Sequence, residues 1–308
     1  MANLPYYEQK DIENIKKLRE MMKELPPFCT EFFRGIEPRT STRTRIAYAY
    51  DLSVFFDFLR KENPVLSKLE RMDITLDYLD RITVTDLEEY MEYLKYRFND
   101  HNQEITNKER GIMRKISSLK SFYNYFFRTE KLTTNPAALV QLPKLHEKEI
   151  IRLDVDEVAL LLDAVEQGDG LTEKQKTFHN RTRLRDLAML TLLLGTGIRV
   201  SECRGLDLND LDFNVNSMTI VRKGGGQDVL YFSDEIHQVL DDYICSERAL
   251  ITPYEADAPA LFYSIQGRRM SVDSIERLVK RYAQMAVPNK KITPVSYTHL
   301  TLPTNSLV

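Results

Sequence analysis

The stretch TGIRVSECRGLDLNDLDF (196–213), followed by SMTIVRKGGGQDVLYFS (217–233), decides the fold assignment. Just before Arg199, Gly195 and Gly197 end an almost wholly apolar helical pattern, because glycine suits the sharp turn at a helix end. The second stretch is typical of a strand, a glycine-rich turn and a second strand, with Lys223 at the turn. The sequence therefore predicts two cations held by rigid elements on either side of a short connection.

These two cations suit the cleavage of a phosphodiester. A planar guanidinium can hold two oxygens of a phosphate that gains negative charge in its transition state. A nearby ammonium can donate a proton to the departing oxygen. Glu202 lies three residues after Arg199, where it can brace the guanidinium. Each residue taken alone also has an ordinary explanation, as a helix-capping arginine, a surface ion pair and a lysine that solubilises a turn.

The order and wording of the motifs carry a resemblance to a known family. The run 185–232 contains RDLAMLTLLLGTGIRVSE, GLDLNDLDF and TIVRKGGGQDVLYF, and it resembles the tyrosine recombinases, also called the phage integrase family. TSTRTRIAYAYDLSVFFDFL (40–59) is similar to the first helix of the family's core-binding domain. ALFYSIQGRRMSVDSIERLVKRYA (260–283) resembles the stretch before its second catalytic box. The similarity covers roughly residues 27–294 and is closest to the Xer type, although phage and transposon integrases share all these features.

The resemblance implies a definite reaction. Arg199 takes the place of the first catalytic arginine, Glu202 that of its supporting acid, and Lys223 that of the hairpin lysine. In the family a tyrosine hydroxyl attacks the DNA phosphate, and a 3′-phosphotyrosyl bond preserves the bond energy until a 5′-hydroxyl reverses the step. Neither a metal nor a nucleotide cofactor takes part. The implied partners are double-stranded DNA and three further subunits, as a homotetramer or a mixed tetramer.

The expected fold is mostly α with a small β-sheet, in the α+β class. We expect an N-terminal extension (1–26), a helical, SAM-like core-binding domain (27–140), a linker (141–152) and a mixed α/β catalytic domain (153–294). Apolar periodicity predicts helices over 11–25, 42–61, 106–127, 154–165 and 184–198, and another after Thr83. Residues 167–181 are predicted to form a loop, and the apolar end of 142–153 to form a strand.

The sequence departs from the family after KKITP (290–294). There the family has a His-x-x-Arg box and, farther on, the nucleophilic tyrosine, whereas this chain has VSYTHLTLPTNSLV (295–308). Val295 and Thr298 stand where the box has His and Arg, and Tyr297 falls inside the box, so it is not assigned as the nucleophile. We therefore expect an aberrant tail, an incomplete catalytic domain and a recombinase that does not cleave DNA in this form. The alternatives are a non-catalytic DNA-binding accessory protein and an interaction scaffold.

The charge distribution supports DNA as the partner more than the net charge does. The chain of 308 residues has 43 basic and 46 acidic residues. Basic residues outnumber acidic ones within 106–131 and again within 174–204, and two such surfaces suit a clamp around a polyanion. Solvated helix faces are the alternative. The candidate DNA-contacting residues are Arg43, Arg45, Arg110, Arg114, Lys115, Lys120, Arg222 and Arg268.

Composition excludes several other classes of protein. With 43% hydrophobic and 29% charged residues the chain is typical of a globular protein. It contains no apolar run of membrane-spanning length and no signal peptide, so we expect a cytoplasmic protein. Three scattered cysteines (Cys29, Cys203 and Cys245) are too few for a disulfide framework or a zinc site, and we expect buried thiols.

Overall fold

The computed structural model describes residues 4–99, 102–145, 151, 153–222, 224–290 and 292. The chain divides into two compact units, Met1–Glu147 and Lys148–Val308. The boundary falls within the segment 141–152 that the sequence suggests as a linker. None of the described helices combines the length and apolarity that crossing a membrane requires.

The N-terminal unit is helical with one small hairpin. Its helices are α1 (Tyr6–Met22), α2 (Cys29–Ile36), α3 (Thr42–Glu62), α4 (Leu76–Leu79), α5 (Val84–Lys95), α6 (Glu109–Arg128) and α7 (Pro136–Leu139). Strands β1 (Tyr96–Phe98) and β2 (Glu104–Thr106) pair antiparallel between α5 and α6. Local chemistry sets the helix ends: the Ser41 hydroxyl accepts the Thr44 N–H at the start of α3, and Thr83 and Asp86 form a capping box on α5.

An aromatic cluster fills the core of this unit. Phe122 on α6 lies 5.1 Å from Phe32 and 5.1 Å from Phe126, measured between ring centroids, and both pairs meet edge to face. Leu18 of α1 and Leu25 are buried in the same core. Residues 1–26, which the sequence suggests as a separate extension, therefore contribute to the packing of the helical unit.

The C-terminal unit combines helices with a three-stranded antiparallel sheet. Its helices are α8 (Val155–Gln167), α9 (Glu173–His179), α10 (Arg183–Thr196), α11 (Val200–Gly205), α12 (Asp234–Asp242) and α13 (Val272–Ala286). The sheet has the order β3 (Leu211–Asp212), β4 (Ser217–Val221) and β5 (Gln227–Tyr231), with Ser217 opposite Tyr231 and Val221 opposite Gln227. Mostly helical content with small sheets agrees with the predicted α+β class.

Helix α10 forms the buried centre of this unit, with nine residues inaccessible or nearly so. It ends at Gly197, whose φ of 64° is left-handed and whose N–H bonds to the Leu193 carbonyl. The chain then turns directly into α11. Because α11 begins so soon after a buried helix, the backbone at its start is held by the core. The side chain at the start of α11 is therefore carried by a backbone of fixed position.

Three predictions about this unit need correction. Residues 173–179 form α9 inside the predicted loop, because Thr172 and Gln175 make a capping box that starts a helix. Ile151 and Leu153 pack against the core, but neither lies in a strand. Cys245 is exposed, whereas Cys29 and Cys203 are buried as expected.

Candidate active site and nucleic-acid interface

Arg199 occupies the position between the left-handed Gly197 and the first turn of α11. It is the N-cap residue of that helix, with an extended backbone at φ −70° and ψ 150°. Its side chain is 61% exposed, although α10 behind it is buried. The guanidinium is therefore presented to solvent from a rigid base, as the sequence predicts.

The buried carboxylate of Glu202 binds the Arg199 guanidinium. The Glu202 side chain is only 4% exposed, and its Oε1 accepts a 2.8 Å hydrogen bond from Arg199 Nη1. Its Oε2 accepts the Arg199 backbone N–H at 2.8 Å and Arg222 Nη1 at 3.2 Å. One carboxylate thus binds two guanidinium groups, and Arg199, Glu202 and Arg222 are called the Glu202 cluster below.

Arg222 connects this cluster to the hairpin. It follows β4 directly, and its Nε donates a 2.8 Å hydrogen bond to Asp228 on β5. The hydrogen bond that Arg222 donates to Asp228, and next the attraction of Glu202, raise the pKa of Arg222 above its usual value. Among the predicted DNA-contacting residues Arg222 is therefore the one that the structure brings together with Arg199.

The glycine turn of the hairpin leaves open space beside it. Gly224 and Gly225 have φ values of 108° and 88°, in the left-handed region that favours glycine. A Cβ added at Gly224, Gly225 or Gly226 would meet no atom of the described residues within 4 Å. Lys223 itself lies outside the described residues, so its position is given only by its neighbours Arg222 and Gly224 in the chain.

Two neighbouring arginines farther along the unit have different environments. Arg268 is exposed, and its guanidinium carbon lies 4.2 Å from the centre of the Tyr254 ring. Arg269 is buried and donates to the carbonyls of Arg204 and Leu206, each at 3.0 Å, and to the Asp207 carboxylate. Arg269 thereby fixes the chain that leaves α11. The sequence gives no sign of this role, since the two arginines stand side by side.

In the helical unit, three of the predicted DNA-contacting residues are exposed: Arg43 on α3, and Arg110 and Arg114 on α6. Arg110 and Arg114 are four residues apart and lie one turn from each other along the helix. Lys120 is partly buried, and its ammonium donates to the Val140 carbonyl at 3.0 Å. Lys120 thus has one of its donors engaged within the unit.

Arg45 and Lys115 are not surface cations, which corrects the placement suggested by the sequence. Arg45 is buried and pairs with Glu37 at 2.7 Å. Lys115 is buried and pairs with Asp51 at 3.3 Å. Each charge is compensated inside the unit, and neither side chain is available to a phosphate at the surface. We therefore remove both residues from the set of proposed DNA contacts.

Cys203 lies on α11 close to Arg199, but its thiol is not a candidate nucleophile. Burial raises the pKa of the Cys203 thiol to about 12, so this thiol stays protonated and unreactive at neutral pH. The described residues contain no group of three His, Cys, Asp or Glu side chains that could hold a metal ion. The site therefore consists of the exposed Arg199 guanidinium, held by the buried Glu202 carboxylate. The glycine turn of the neighbouring hairpin leaves space in which the backbone of a bound polymer could approach.

Comparisons with known proteins place these features in context. The model of the phage integrase family matches residues 151–299. Tyrosine recombinase XerC of Caldanaerobacter subterraneus subsp. tengcongensis is 31% identical over an alignment 273 positions long, gaps included, which covers 85% of this chain and 69% of that protein. Tyrosine recombinase XerS of Lactococcus lactis subsp. cremoris is 28% identical over an alignment 332 positions long, gaps included, which covers 96% of this chain and 89% of that protein.

Solved structures agree on the fold. A lambda integrase tetramer bound to a Holliday junction superposes with a TM-score of 0.57 at 16% sequence identity, covering 88% of this chain and 67% of that one. Identity at this level reports the architecture alone. The solved structure with a similar fold and the relatives found by sequence are all recombinases or integrases.

Proposed function

Because the chain belongs to the phage integrase family, as a tyrosine recombinase of the Xer type that cuts and rejoins DNA at specific sites, we propose that Arg199 and Lys223 act on the phosphodiester that is cut. Arg199 holds the non-bridging oxygens as they gain charge, through a fork of N–H donors. Lys223 donates the proton to the departing 5′-oxygen. Glu202 keeps Arg199 in place.

The observation that carries this assignment is the Glu202 cluster. Burying a carboxylate is costly unless it is paired and hydrogen-bonded, and Glu202 meets that condition with donors from Arg199 and Arg222. Because the Arg199 guanidinium remains largely exposed, the cluster supports an outward-facing cation of fixed orientation. A preorganised cation of this kind stabilises a charged transition state without reorganising during the reaction.

The partner of this site is double-stranded DNA, and we infer that four copies assemble on paired duplexes. Exposed cations on both units support a polyanionic partner: Arg43, Arg110 and Arg114 on the helical unit, and Arg199 and Arg268 on the other. DNA binding should therefore weaken steeply as salt rises. The relatives named above are bacterial recombinases, which act on DNA, and we infer from them that this chain acts in the cytoplasm. No step of the proposed chemistry needs a metal or a nucleotide.

The nucleophile is the open part of the proposal. Residues 295–308 lie outside the described residues, and their sequence contains Tyr297 but no His-x-x-Arg box. We propose that residues 295–308, including Tyr297, do not supply the nucleophile, so that the polypeptide 1–308 binds recombination sites without cleaving them.

A nicked duplex that releases its 5′-hydroxyl fragment tests this proposal, because it traps any covalent intermediate. The duplex is first enriched from a random-sequence pool by repeated binding to the chain. We expect salt-dependent binding to this duplex and no adduct that survives boiling in detergent. An adduct that forms with the native chain and disappears in Tyr297→Phe would overturn the proposal and identify Tyr297 as the nucleophile.

A non-catalytic accessory protein of the same fold is the second candidate. The absence of the His-x-x-Arg sequence from residues 295–308 favours it. The two candidates are separated by a chain in which residues 295–308 are replaced by the His-x-x-Arg box of a Xer relative together with the segment that follows it. A recombinase core regains adduct formation and loses it again on Arg199→Ala, whereas an accessory protein stays inactive. A chain that binds no duplex even at low salt would contradict both.

A further inference from the structure

A second buried carboxylate lies in the helical unit, far along the chain from the Glu202 cluster. Asp51 on α3 is 1% exposed, and its Oδ1 accepts Arg114 Nη2 at 2.6 Å and Lys115 Nζ at 3.3 Å. Its Oδ2 accepts the Ser118 hydroxyl at 2.7 Å. These four residues, all but Asp51 on α6, are called the Asp51 cluster.

The two cations of this cluster have different surroundings. Lys115 is buried, and desolvation lowers its pKa despite the opposing attraction of Asp51. The Arg114 side chain is 50% exposed, and one of its terminal nitrogens donates to Asp51. A guanidinium has five N–H donors in a rigid fork, so donors remain for a second partner outside the unit.

We propose that Asp51 is a positioning residue for DNA binding, which holds the Arg114 guanidinium outward so that its free donors grip one backbone phosphate. The inference deepens the proposed function and rests on it. Arg110 lies one turn before Arg114 on the same helix and is exposed, which suggests that the DNA backbone follows this side of α6. Fixing the arginine before binding removes the cost of ordering a long side chain when DNA arrives.

The charge balance supports this role. Lys115 and Arg114 bring two positive charges to a single negative one, so the cluster as a whole remains positive beside the proposed DNA surface. Asp51 therefore orients Arg114 without cancelling the attraction for a phosphate. The competing explanation is that the cluster only fixes α3 against α6, with no effect on DNA.

The pair Asp51→Leu/Lys115→Met separates these explanations, because leucine has no oxygen that could accept the hydrogen bond from Arg114. It removes one negative and one positive charge, so the net charge is unchanged and long-range attraction to DNA stays the same. Replacing a buried ion pair by apolar side chains of similar volume is often tolerated, whereas Asp51→Leu alone would leave the buried Lys115 without its anion. Thermal unfolding of each variant of the full chain confirms that it folds.

Arg114→Ala is then made in both backgrounds, and binding to a short duplex of random sequence is measured over a range of salt concentrations. In the native background we expect Arg114→Ala to lower the affinity about tenfold, which is typical of a charge-assisted hydrogen bond. The slope of log affinity against log salt concentration should become shallower by about one. In the double variant we expect weaker binding from the outset and a loss of less than about threefold on Arg114→Ala, because the arginine is no longer positioned.

Arg110→Ala is the matched control, since Arg110 makes no ion pair within the described part of the chain. Its cost should be equal in the two backgrounds. An equal cost of Arg114→Ala in both backgrounds would reduce Asp51 to a structural role while leaving the proposed function intact. Failure of the native chain to bind any duplex would overturn the proposed function and this inference together.

Discussion

At the residue scale, two buried acidic side chains each bind two basic residues and leave one of them at the surface. Glu202 and Asp51 are both buried, and each accepts hydrogen bonds from two basic residues. In each cluster the first arginine, Arg199 or Arg114, remains at least half exposed. In both clusters the carboxylate is the group that loses its contact with water, and the guanidinium that it binds stays at the surface in a fixed orientation.

Removing the charge of Glu202 should destabilise the C-terminal unit. In Glu202→Gln the two guanidiniums lose their common anion, and we expect a loss of about 1–3 kcal/mol in the free energy of unfolding. Asp228→Asn is the control, because Asp228 is more than half exposed and Arg222 is its ion-pair partner within the described residues, for an expected loss below about 1 kcal/mol. Urea unfolding of both variants provides the comparison, and equal losses would contradict the ranking.

Two buried tyrosines of the helical unit should respond differently to loss of their hydroxyls. The Tyr123 hydroxyl donates to the Leu79 carbonyl, whereas the Tyr90 hydroxyl has no hydrogen-bond partner among the described residues. Tyr123→Phe should therefore cost about 1 kcal/mol of stability, while Tyr90→Phe should be neutral or stabilising. Denaturant midpoints at neutral pH measure both, and a clear loss in Tyr90→Phe would indicate an unseen partner.

The same phenols predict a pH dependence of stability. Burial raises the pKa of Tyr90 and Tyr123 above 10, the value in the unfolded chain. Above pH 10 the unfolded chain loses these protons while the folded chain keeps them, so their contribution is complete below pH 10 and is lost as the pH rises further. The unfolding midpoint should fall less steeply above pH 10 in Tyr123→Phe than in the native chain. Parallel pH curves would show that Tyr123 does not contribute.

At the scale of elements, two glycines have left-handed backbones at turns: Gly197 caps the end of α10, and Gly267 lies in a turn before α13. Gly267 has a φ of 70°, and an added Cβ would lie 2.2 Å from the Thr252 carbonyl oxygen. Gly197 has a φ of 64° but nothing within 4 Å of that position. The two positions therefore separate backbone strain from steric overlap.

Alanine substitutions should rank accordingly. We expect Gly267→Ala to cost more than about 3 kcal/mol, because the backbone oxygen cannot move aside, and Gly197→Ala to cost roughly 1–2 kcal/mol from strain. Gly205→Ala, at a position with open space and no positive φ, should be nearly neutral. Melting temperatures order the three variants, and a Gly197→Ala loss as large as that of Gly267→Ala would contradict the steric argument.

Elements with strong apolar periodicity could be predicted closely from the sequence. The pattern over 42–61 corresponds to α3 (Thr42–Glu62), and that over 184–198 to α10 (Arg183–Thr196). The helix α9 was missed because Gly, Thr and Lys dominate its surroundings, although the spacing of Thr172 and Gln175 carried the signal. A short helix has too few apolar residues to show a clear periodicity. It can be predicted only from the capping residues at its start.

Charges could not be assigned in the same way. Lys115 stands in a basic run of the sequence, but its partner Asp51 lies 64 residues away. Arg269 likewise bonds to Leu206, 63 residues away. Counting charges along the chain cannot reveal such pairs, because tertiary packing decides which cations are neutralised. Arg199 and Glu202 were accessible to prediction because they are only three residues apart.

At the scale of the whole molecule, each of the two units has its own hydrophobic core. Residues 1–147 should therefore fold alone and unfold cooperatively, with circular dichroism showing a single sigmoidal melt. The control is the same fragment with Phe122→Ala, which removes a fully buried ring and should lower the free energy of unfolding by about 3–5 kcal/mol. A gradual melt of the native fragment would mean that the core needs the rest of the chain.

The burial of two of the three thiols makes the molecule a ready-made carrier of a single fluorophore. Cys29 and Cys203 are enclosed, so a maleimide dye added to the native protein should attach only at Cys245, at a rate slowed by the neighbouring Asp241, which raises the pKa of that thiol. Mixing donor-labelled and acceptor-labelled copies with duplex would then report, by energy transfer and without any mutation, when copies gather on DNA.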